Sequence, residues 1–374
     1  MRIAFICKRR YMGKDVILDR YARLYEIPRQ LALLGNEVGA FCLDYHAPDS
    51  SGYWEHEAEP GSLIWKSFSV GRVRLPWLGV YPWHLLRKLR AFQPDLLIGS
   101  SDIPHVVLAQ WLARRMGIPY MADLYDNFEG FGQARIPGFV RALRGAVREA
   151  ALVTTTSEPL RKKVLADGAQ GIVVAMPSSV DLSVFHPGDK AQARQSLGLP
   201  QNARLIGTAG GLSREKGVEP IYEAWPAIAA ACPDVHLVLA GPLEKDFPPP
   251  QGARVHYLGH LAHGQVANLF RALDVGIISI LDTPFGRYCF PQKAYEMLAC
   301  RLPVVATAIG QMRELYASTP KALFGPGDVI ALTRAVLRQL QAGEIPSVPV
   351  ADWRELIGSI ELIMQRQVRL ARCT

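Results

Sequence analysis

No apolar run in this 374-residue chain approaches the roughly 18 residues a membrane-spanning helix needs. Cysteine is sparse: Cys7, Cys42, Cys232, Cys289, Cys300 and Cys373 include no CxxC pair and no secreted-domain spacing. Several sit in apolar patterns, where a thiol acts as a small hydrophobe, so a reducing compartment is expected. The nine histidines form no HxH or HExxH pattern, and His56, His256 and His260 read as surface or strand residues rather than ligands. No DxD, P-loop or Rossmann glycine fingerprint occurs. Acidic residues are somewhat fewer than basic ones, leaving a net charge of +8 and a pI near 9.2. That excess, present in both halves of the chain, permits an anionic partner. No zinc-finger spacing or aromatic-basic RNA motif accompanies it, so nucleic acid is not expected. "MRIAFICKRR" places its charges after a short apolar run, the wrong order for a signal peptide. The expected location is cytoplasmic, with peripheral contact at the inner membrane face as the furthest association.

What is present is alternation. Apolar runs such as "RIAFIC" (2–7), "EVGAFCL" (37–43), "PDLLIGSS" (94–101) and "ALVTTTS" (151–157) are separated by helical patterns. This spacing predicts βαβ units and a parallel sheet covered on both faces. A Pro- and Gly-punctuated zone follows Val180, and the alternation restarts with "RLIGTAG" (204–210), "VHLVLAG" (235–241), "DVGIISI" (274–280) and "PVVAT" (303–307). The expected fold class is α/β with two Rossmann-like doubly wound domains, residues 1–187 and 188–351, facing each other across a cleft. The amphipathic tail 352–374 is expected to pack back on the first domain. In open α/β sheets ligands bind beyond the carboxyl ends of the strands.

Two stretches can carry chemistry there. In "GTAGGLSREKG" (207–217) a strand runs into Gly210 and Gly211, with Ser213, Arg214 and Lys216 ahead of a helix. Glycines admit a close phosphate and lysine supplies compact positive charge. Taken alone, the stretch reads more readily as an ordinary strand-to-helix turn with a solvated "SREK". In "RYCFPQKAYEMLACRLPVVAT" (287–307), Pro291 suits the first helical position and sets Lys293 and Glu296 beside the helix amino end. An exposed i,i+3 ion pair is one reading. A phosphate held by the amino end, with Glu296 receiving sugar hydroxyls, is the other.

"GGLSREKGV", "PDVHLVLAGP", "VHYLGHLAHGQVANLFRALDVGIISI", "PQKAYEMLACRLPVVAT" and "LFGPGDVIALTRAVLRQL" occur in that order. So arranged, they resemble the donor-binding half of the GT-B glycosyltransferases, especially the retaining glycosyltransferase family 4. The first half resembles the family more weakly, through "QLALLGNEV", "PDLLIGSSD", "RRMGIPYMADLYD" and "LVTTTSEPLRKKVL". The resemblance implies a nucleotide-sugar donor, a hydroxyl acceptor in polysaccharide or glycolipid synthesis, and a retaining transfer without a metal or other cofactor. It implies that Glu296 binds the nucleotide ribose and Lys216 the diphosphate. The amides around Phe290 and Pro291 would receive the sugar and diphosphate, and the loop at Gly13 would lie over the latter. Four positions depart from the family: Gly211 stands where an arginine is usual, Tyr288 replaces the first of two glutamates, and Ser101 and Tyr125 occupy histidine positions.

The expected catalytic set is Asp126, Arg214 and Lys216. Arg214 would substitute for the missing arginine, and Asp126 would orient the acceptor or simply cap a turn. The expected donor set is Gly13, Gly210, Gly211, Ser213, Phe290, Pro291, Lys293 and Glu296. Fixed cations would stabilise charge developing on the departing diphosphate. Two other readings stay open: a sugar-nucleotide epimerase of the same fold, and a silent nucleotide-sugar-binding scaffold. Finally, "RVRLPWLGVYPWHLLRKLRAF" (72–92) sets tryptophans beside cations, fitting either a helix on an anionic membrane with a lipid-linked acceptor or an ordinary sheet-covering helix.

Overall fold

The structure, a computed structural model, describes residues 1–20, 22–45, 50–70, 74–348 and 350–373, and only the backbone of 74–78. The chain divides into two compact units, Met1–Ser178 with Trp353–Thr374, and Ser179–Asp352.

Unit 1 opens with β1 (Arg2–Lys8), whose Ile3–Cys7 are all buried, as a strand covered on both faces requires. A small ribbon, β2 (Arg10–Tyr11) with β3 (Lys14–Asp15), precedes α1 (Ala22–Leu33). Next come β4 (Glu37–Asp44), β5 (Gly52–His56), β6 (Ser62–Ser69), α2 (Arg74–Phe92), β7 (Leu96–Ser100), α3 (Ile103–Met116) and β8 (Tyr120–Leu124). The unit continues through α4 (Phe139–Glu149), β9 (Leu152–Thr155), α5 (Glu158–Ala166) and β10 (Ile172–Ala175). Its sheet runs β10-β9-β8-β7-β1-β4-β6-β5. All pairs are parallel except β5 with β6. That antiparallel edge corrects the expected wholly parallel sheet. The alternating burial of "SLIWKSFS" was its signal, whereas β5 is too exposed to show one.

Helix starts follow from local chemistry. Asp102 caps α3 by accepting the His105 N–H, and Ser157 caps α5 by accepting that of Leu160. Such caps satisfy amides that the helix itself leaves open. The tail forms α12 (Trp353–Cys373), which buries Ile357, Ile360, Met364 and Val368 in the cluster holding Leu24, Ile27 and Leu31 of α1. Each such side chain removed from water contributes about 1.5–3 kcal/mol.

Unit 2 contains α6 (Lys190–Ser196), β11 (Arg204–Ala209), α7 (Glu219–Ala231), β12 (Val235–Ala240), β13 (Val255–Tyr257) and α8 (His263–Ala272). It continues with β14 (Val275–Ile278), α9 (Gln292–Ala299), β15 (Val304–Thr307), α10 (Gln311–Leu315), β16 (Leu323–Phe324) and α11 (Val329–Ala342). The sheet is parallel throughout, in the order β13-β12-β11-β14-β15-β16. One apolar cluster packs Phe270, Met297 and Leu298 on one face, and another packs Trp225, Ile228 and Val336 on the other. The order reverses between β11 and β14, so their carboxyl ends flank the crevice where such sheets take ligands.

A buried ion pair ties unit 1 together. Arg23 of α1 donates from Nε and Nη2 to Asp123 of β8, at 3.0 and 2.6 Å to Oδ1, and from Nη1 to the Met176 carbonyl at 2.6 Å. Ser100 and Thr154 donate their hydroxyls to the same carboxylate. Both charges are almost wholly excluded from solvent, so removing one strands the other. Asp123→Ala is expected to cost about 3–5 kcal/mol in urea unfolding of unit 1. A loss below about 1 kcal/mol would mean that Arg23 finds water or another acceptor.

Candidate functional site

In unit 2 the carboxyl end of β11 runs into Gly210, whose φ of +122° favours glycine. Beyond β12, Gly241 (φ +129°) lies so close that a Cβ there would stand 1.9 Å from the Gly210 carbonyl oxygen. Only glycine fits. The Gly210 N–H donates to the Ala240 carbonyl and the Gly241 N–H to that of Gly259, so the glycine rim is held by backbone hydrogen bonds. Ser213 caps the following 3-10 turn, Arg214–Lys216, by accepting the Lys216 N–H at 3.3 Å. Gly217 (φ +75°) then brings that turn against Ser279 and Leu281, beyond β14.

This geometry gathers charge. The Lys216 stem lies along Gly211, where a Cβ would meet its Cγ at 3.4 Å, and its ammonium stands 5.8 Å from the Phe285 ring centre. From the other side of the crevice, Lys293 of α9 places Nζ 3.4 Å from where a Gly210 Cβ would be. Burial lowers the Lys293 pKa; Glu296 opposes this and Lys216 reinforces it. Burial pushes the Glu296 carboxyl up to about 7, against the attraction of Lys293. The two side chains therefore sense one another electrostatically, yet no ion pair within 4 Å joins them among the described residues. Nor does any described group accept the N–H of Gly211, Phe290, Gln292 or Lys293. Two ammonium groups and unclaimed amides lie at the turns that follow β11 and β14, which is the chemistry an oxyanion requires.

Two details differ from the sequence expectation, at Pro291 and at Arg214. Pro291 is the N-cap of α9, with φ −74° and ψ 104°, rather than its first helical residue. Lys293 and Glu296 consequently sit one position earlier on the helix, and the first free amide belongs to Gln292. Arg214 directs its guanidinium to Glu219, 3.0 Å away, and over the Phe247 ring at 4.4 Å. Its charge is thus partly answered inside its own turn. The Phe290 ring packs on Tyr295 at 4.5 Å, which leaves the backbone of Phe290 as its contribution to the rim.

Unit 1 has its own switch point, between β1 and β7. Lys8, at the end of β1, donates through Nζ to the Tyr125 hydroxyl at 3.1 Å, which donates to the Ser101 carbonyl at 2.8 Å. The Lys8 backbone N–H donates to Ser101 Oγ at 2.9 Å. Burial lowers the Lys8 pKa, and Asp102 partly restores it. Thus the two positions that depart from the family's histidines hold a lysine-tyrosine-serine chain instead. Asp126, half-buried beyond β8, accepts the N–H of the next residue, Asn127, at 2.7 Å, while the 3-10 turn that follows has Asn127 as its N-cap without a side-chain bond. Asp102, bonded to His105 at 2.5 Å, and Glu158, paired with Arg161, serve their helices. Gly13 occupies the turn of the β2–β3 ribbon at φ +79°. The sequence reading missed Lys8 and Gly241. A cation or glycine directly after a buried strand was the available signal for both.

Residues 22–177 match the glycosyl transferase 4-like domain, and residues 203–342 match the glycosyl transferases group 1. The chain belongs to the GT-B glycosyltransferases of the family 4 kind. Relatives named D-inositol 3-phosphate glycosyltransferase, from Mycobacterium bovis and Mycobacterium tuberculosis, are 34% identical over 173 residues, 42% of this chain. The chain spans about a third of the length of these curated relatives, the match covering 34% of each. Sucrose-phosphate synthase from Thermosynechococcus elongatus shares the fold with a TM-score of 0.69 at 19% identity, covering 99% of this chain and 98% of its own. HepE of Anabaena, solved in complex with UDP-glucose, does so with a TM-score of 0.66 at 18% identity, over 100% of both chains.

Two measurements test this geometry. Gly241→Ala is expected to destabilise unit 2 by more than about 2 kcal/mol, since both its φ and its space forbid a Cβ. Gly211→Ala meets only a flexible lysine stem and is expected to cost under about 1 kcal/mol. Equal losses would contradict the described packing. Glu296, raised from 4.5 to about 7 in the fold, holds a proton that the unfolded chain releases. Its favourable contribution is complete below pH 4.5 and is lost as pH rises through 7. The stability of Glu296→Gln relative to the unmodified protein should therefore climb by up to about 3 kcal/mol between pH 4 and pH 8. A flat difference in urea unfolding across that range would place Glu296 in water.

Proposed function

We propose that this protein transfers a sugar from a nucleoside-diphosphate sugar to a hydroxyl acceptor, with retention of anomeric configuration and without a metal ion. The observation that carries the reading is the convergence of Lys216, Lys293 and the unclaimed amides of Gly211 and the α9 start on the crevice of unit 2. The ligand bound by Anabaena HepE is of the same chemical class, and the D-inositol 3-phosphate glycosyltransferases are named for the same reaction type.

The chemistry follows from charge. As the bond from the anomeric carbon to the diphosphate breaks, its electron pair passes to a phosphate oxygen and the sugar becomes oxocarbenium-like. Preorganised cations and N–H groups at that oxygen stabilise the transition state more than the ground state. Lys216 and Lys293 are assigned this role, with Ser213 holding the turn that carries Lys216. Arg214, paired with Glu219, supports the same turn and adds a more distant positive charge. Glu296 accepts the ribose hydroxyls. Retention needs no protein nucleophile if the acceptor attacks on the face the diphosphate leaves, because a phosphate oxygen can take the acceptor proton. The lysine-tyrosine pair of unit 1 and Asp126 are assigned to the acceptor, a hydroxyl of a polysaccharide or glycolipid. Their exposed edges, with Tyr11 and Phe131 beside Tyr125, offer polar and aromatic surface to a sugar ring.

Lys216→Ala is expected to weaken nucleoside-diphosphate binding roughly 10–100-fold in calorimetry, the value of a hydrogen bond to a charged group. Unchanged binding of every nucleoside diphosphate in a panel would remove the reading. Proton NMR of the product should show the donor's anomeric configuration, and turnover should persist in EDTA. Altered sugar still attached to nucleotide, formed without acceptor, would instead establish an epimerase.

A further inference from the structure

Unit 1 carries cations and exposed apolar side chains together on three of its helices. Leaving Arg74 aside, helices α2, α3 and α4 hold three, two and three Arg and Lys respectively, against Glu149 of α4 itself and Glu129, which pairs with Arg144. Glu149 is occupied by Arg114 and Gln110. Among the described residues no carboxylate lies within 4 Å of Arg87, Lys88, Arg90 or Arg115, all exposed. Large apolar side chains stand exposed among these cations: Val80 is 51% and Trp83 55% accessible. Trp83 meets Trp111 of α3 edge-on at 5.1 Å, and the Arg115 guanidinium lies over both rings, at 4.9 and 4.6 Å.

We infer that this face docks on an anionic lipid bilayer, with Trp83 and Val80 entering the headgroup region and the surrounding cations meeting lipid phosphates. Charge complementarity identifies the occupant, because the excess of cations over these three helices is repelled by a second copy of the same face. The apolar exposure favours a bilayer over a polyanion in water. Tryptophan is at home where one edge is apolar and the other wet, and Arg115 holds the indole pair at that boundary. No described helix is long and apolar enough to cross a membrane, so the association is peripheral. Residues 72 and 73 of the tryptophan-rich stretch singled out in the sequence lie outside the described residues, and the inference uses neither them nor the side chains of 74–78. It stands independently of the transfer reaction.

Co-sedimentation of the whole protein with vesicles tests it, without donor or acceptor. Vesicles containing phosphatidylglycerol should pellet the protein, and pure phosphatidylcholine vesicles should not. Arg87→Gln and Lys88→Gln should each weaken binding about fivefold. Trp83→Ala should weaken it further at unchanged charge, and high salt should release the charge-dependent part. Thermal melting of each variant, expected at the unmodified temperature, separates lost docking from lost fold. Binding equal on neutral and anionic vesicles, or unaffected by Trp83→Ala, would overturn the inference. So would tighter binding to single-stranded RNA than to anionic vesicles.

Discussion

The backbone of Gly241 lies against the carbonyl of Gly210 with no room for a Cβ between them, and the site depends on it. Two parallel strands lie under 5 Å apart, so the turns leaving their carboxyl ends compete for the same space. A side chain at Gly241 would splay those turns, and one at Gly210 would meet the Lys293 ammonium. With glycine at both, the β11 turn stays low enough for the Lys293 ammonium to reach over it from α9. The same absence of side chain at Gly211 lets the Lys216 stem lie flat. Two cations on different elements are thereby brought to the turns that follow β11 and β14 by missing atoms rather than by attraction.

Burying an ammonium and a carboxyl near the exposed Lys216 is costly, and Lys293 and Glu296 carry that cost. Lys293 is driven toward neutrality by burial and by Lys216, while Glu296 is driven toward its protonated form by burial. Neither is relieved by an ion pair among the described residues. An arrangement of this kind is unfavourable when empty and becomes favourable when an anion enters, which is how a binding site differs from a structural salt bridge. The contrast with unit 1 is direct. There the Arg23–Asp123 pair is equally dry but fully satisfied, with Ser100, Thr154 and the Met176 carbonyl taking up the remaining capacity. One buried charge group is built for cohesion and the other is left incomplete.

Much of the architecture was legible. Uninterrupted apolar runs such as Ile3–Cys7 and Val235–Ala240 can be strands only in a sheet covered on both faces, and the helices between them impose parallel order. The antiparallel β5–β6 edge escaped notice because β5 is mostly exposed and its sequence has no apolar period to follow. Within the site, Lys216, Lys293 and Glu296 stood out because charge beside a strand-to-helix turn is conspicuous. Arg214 was credited with a catalytic charge because sequence shows that a cation is present without showing what it faces. In the fold it faces Glu219, five residues away, and the Phe247 ring.

By itself the sequence determined the α/β class, the two alternating halves and the glycine turns, because these follow from local period, chain stiffness and the steric demands of single residues. Tertiary structure alone decided which polar groups meet. Lys8 finds Tyr125 across 117 residues, and Lys293 finds Gly210 across the switch point, through strand order and register. Burial, and with it the raised carboxyl of Glu296 and the lowered ammonium of Lys293, is a property of everything packed around a group. No window of sequence contains it.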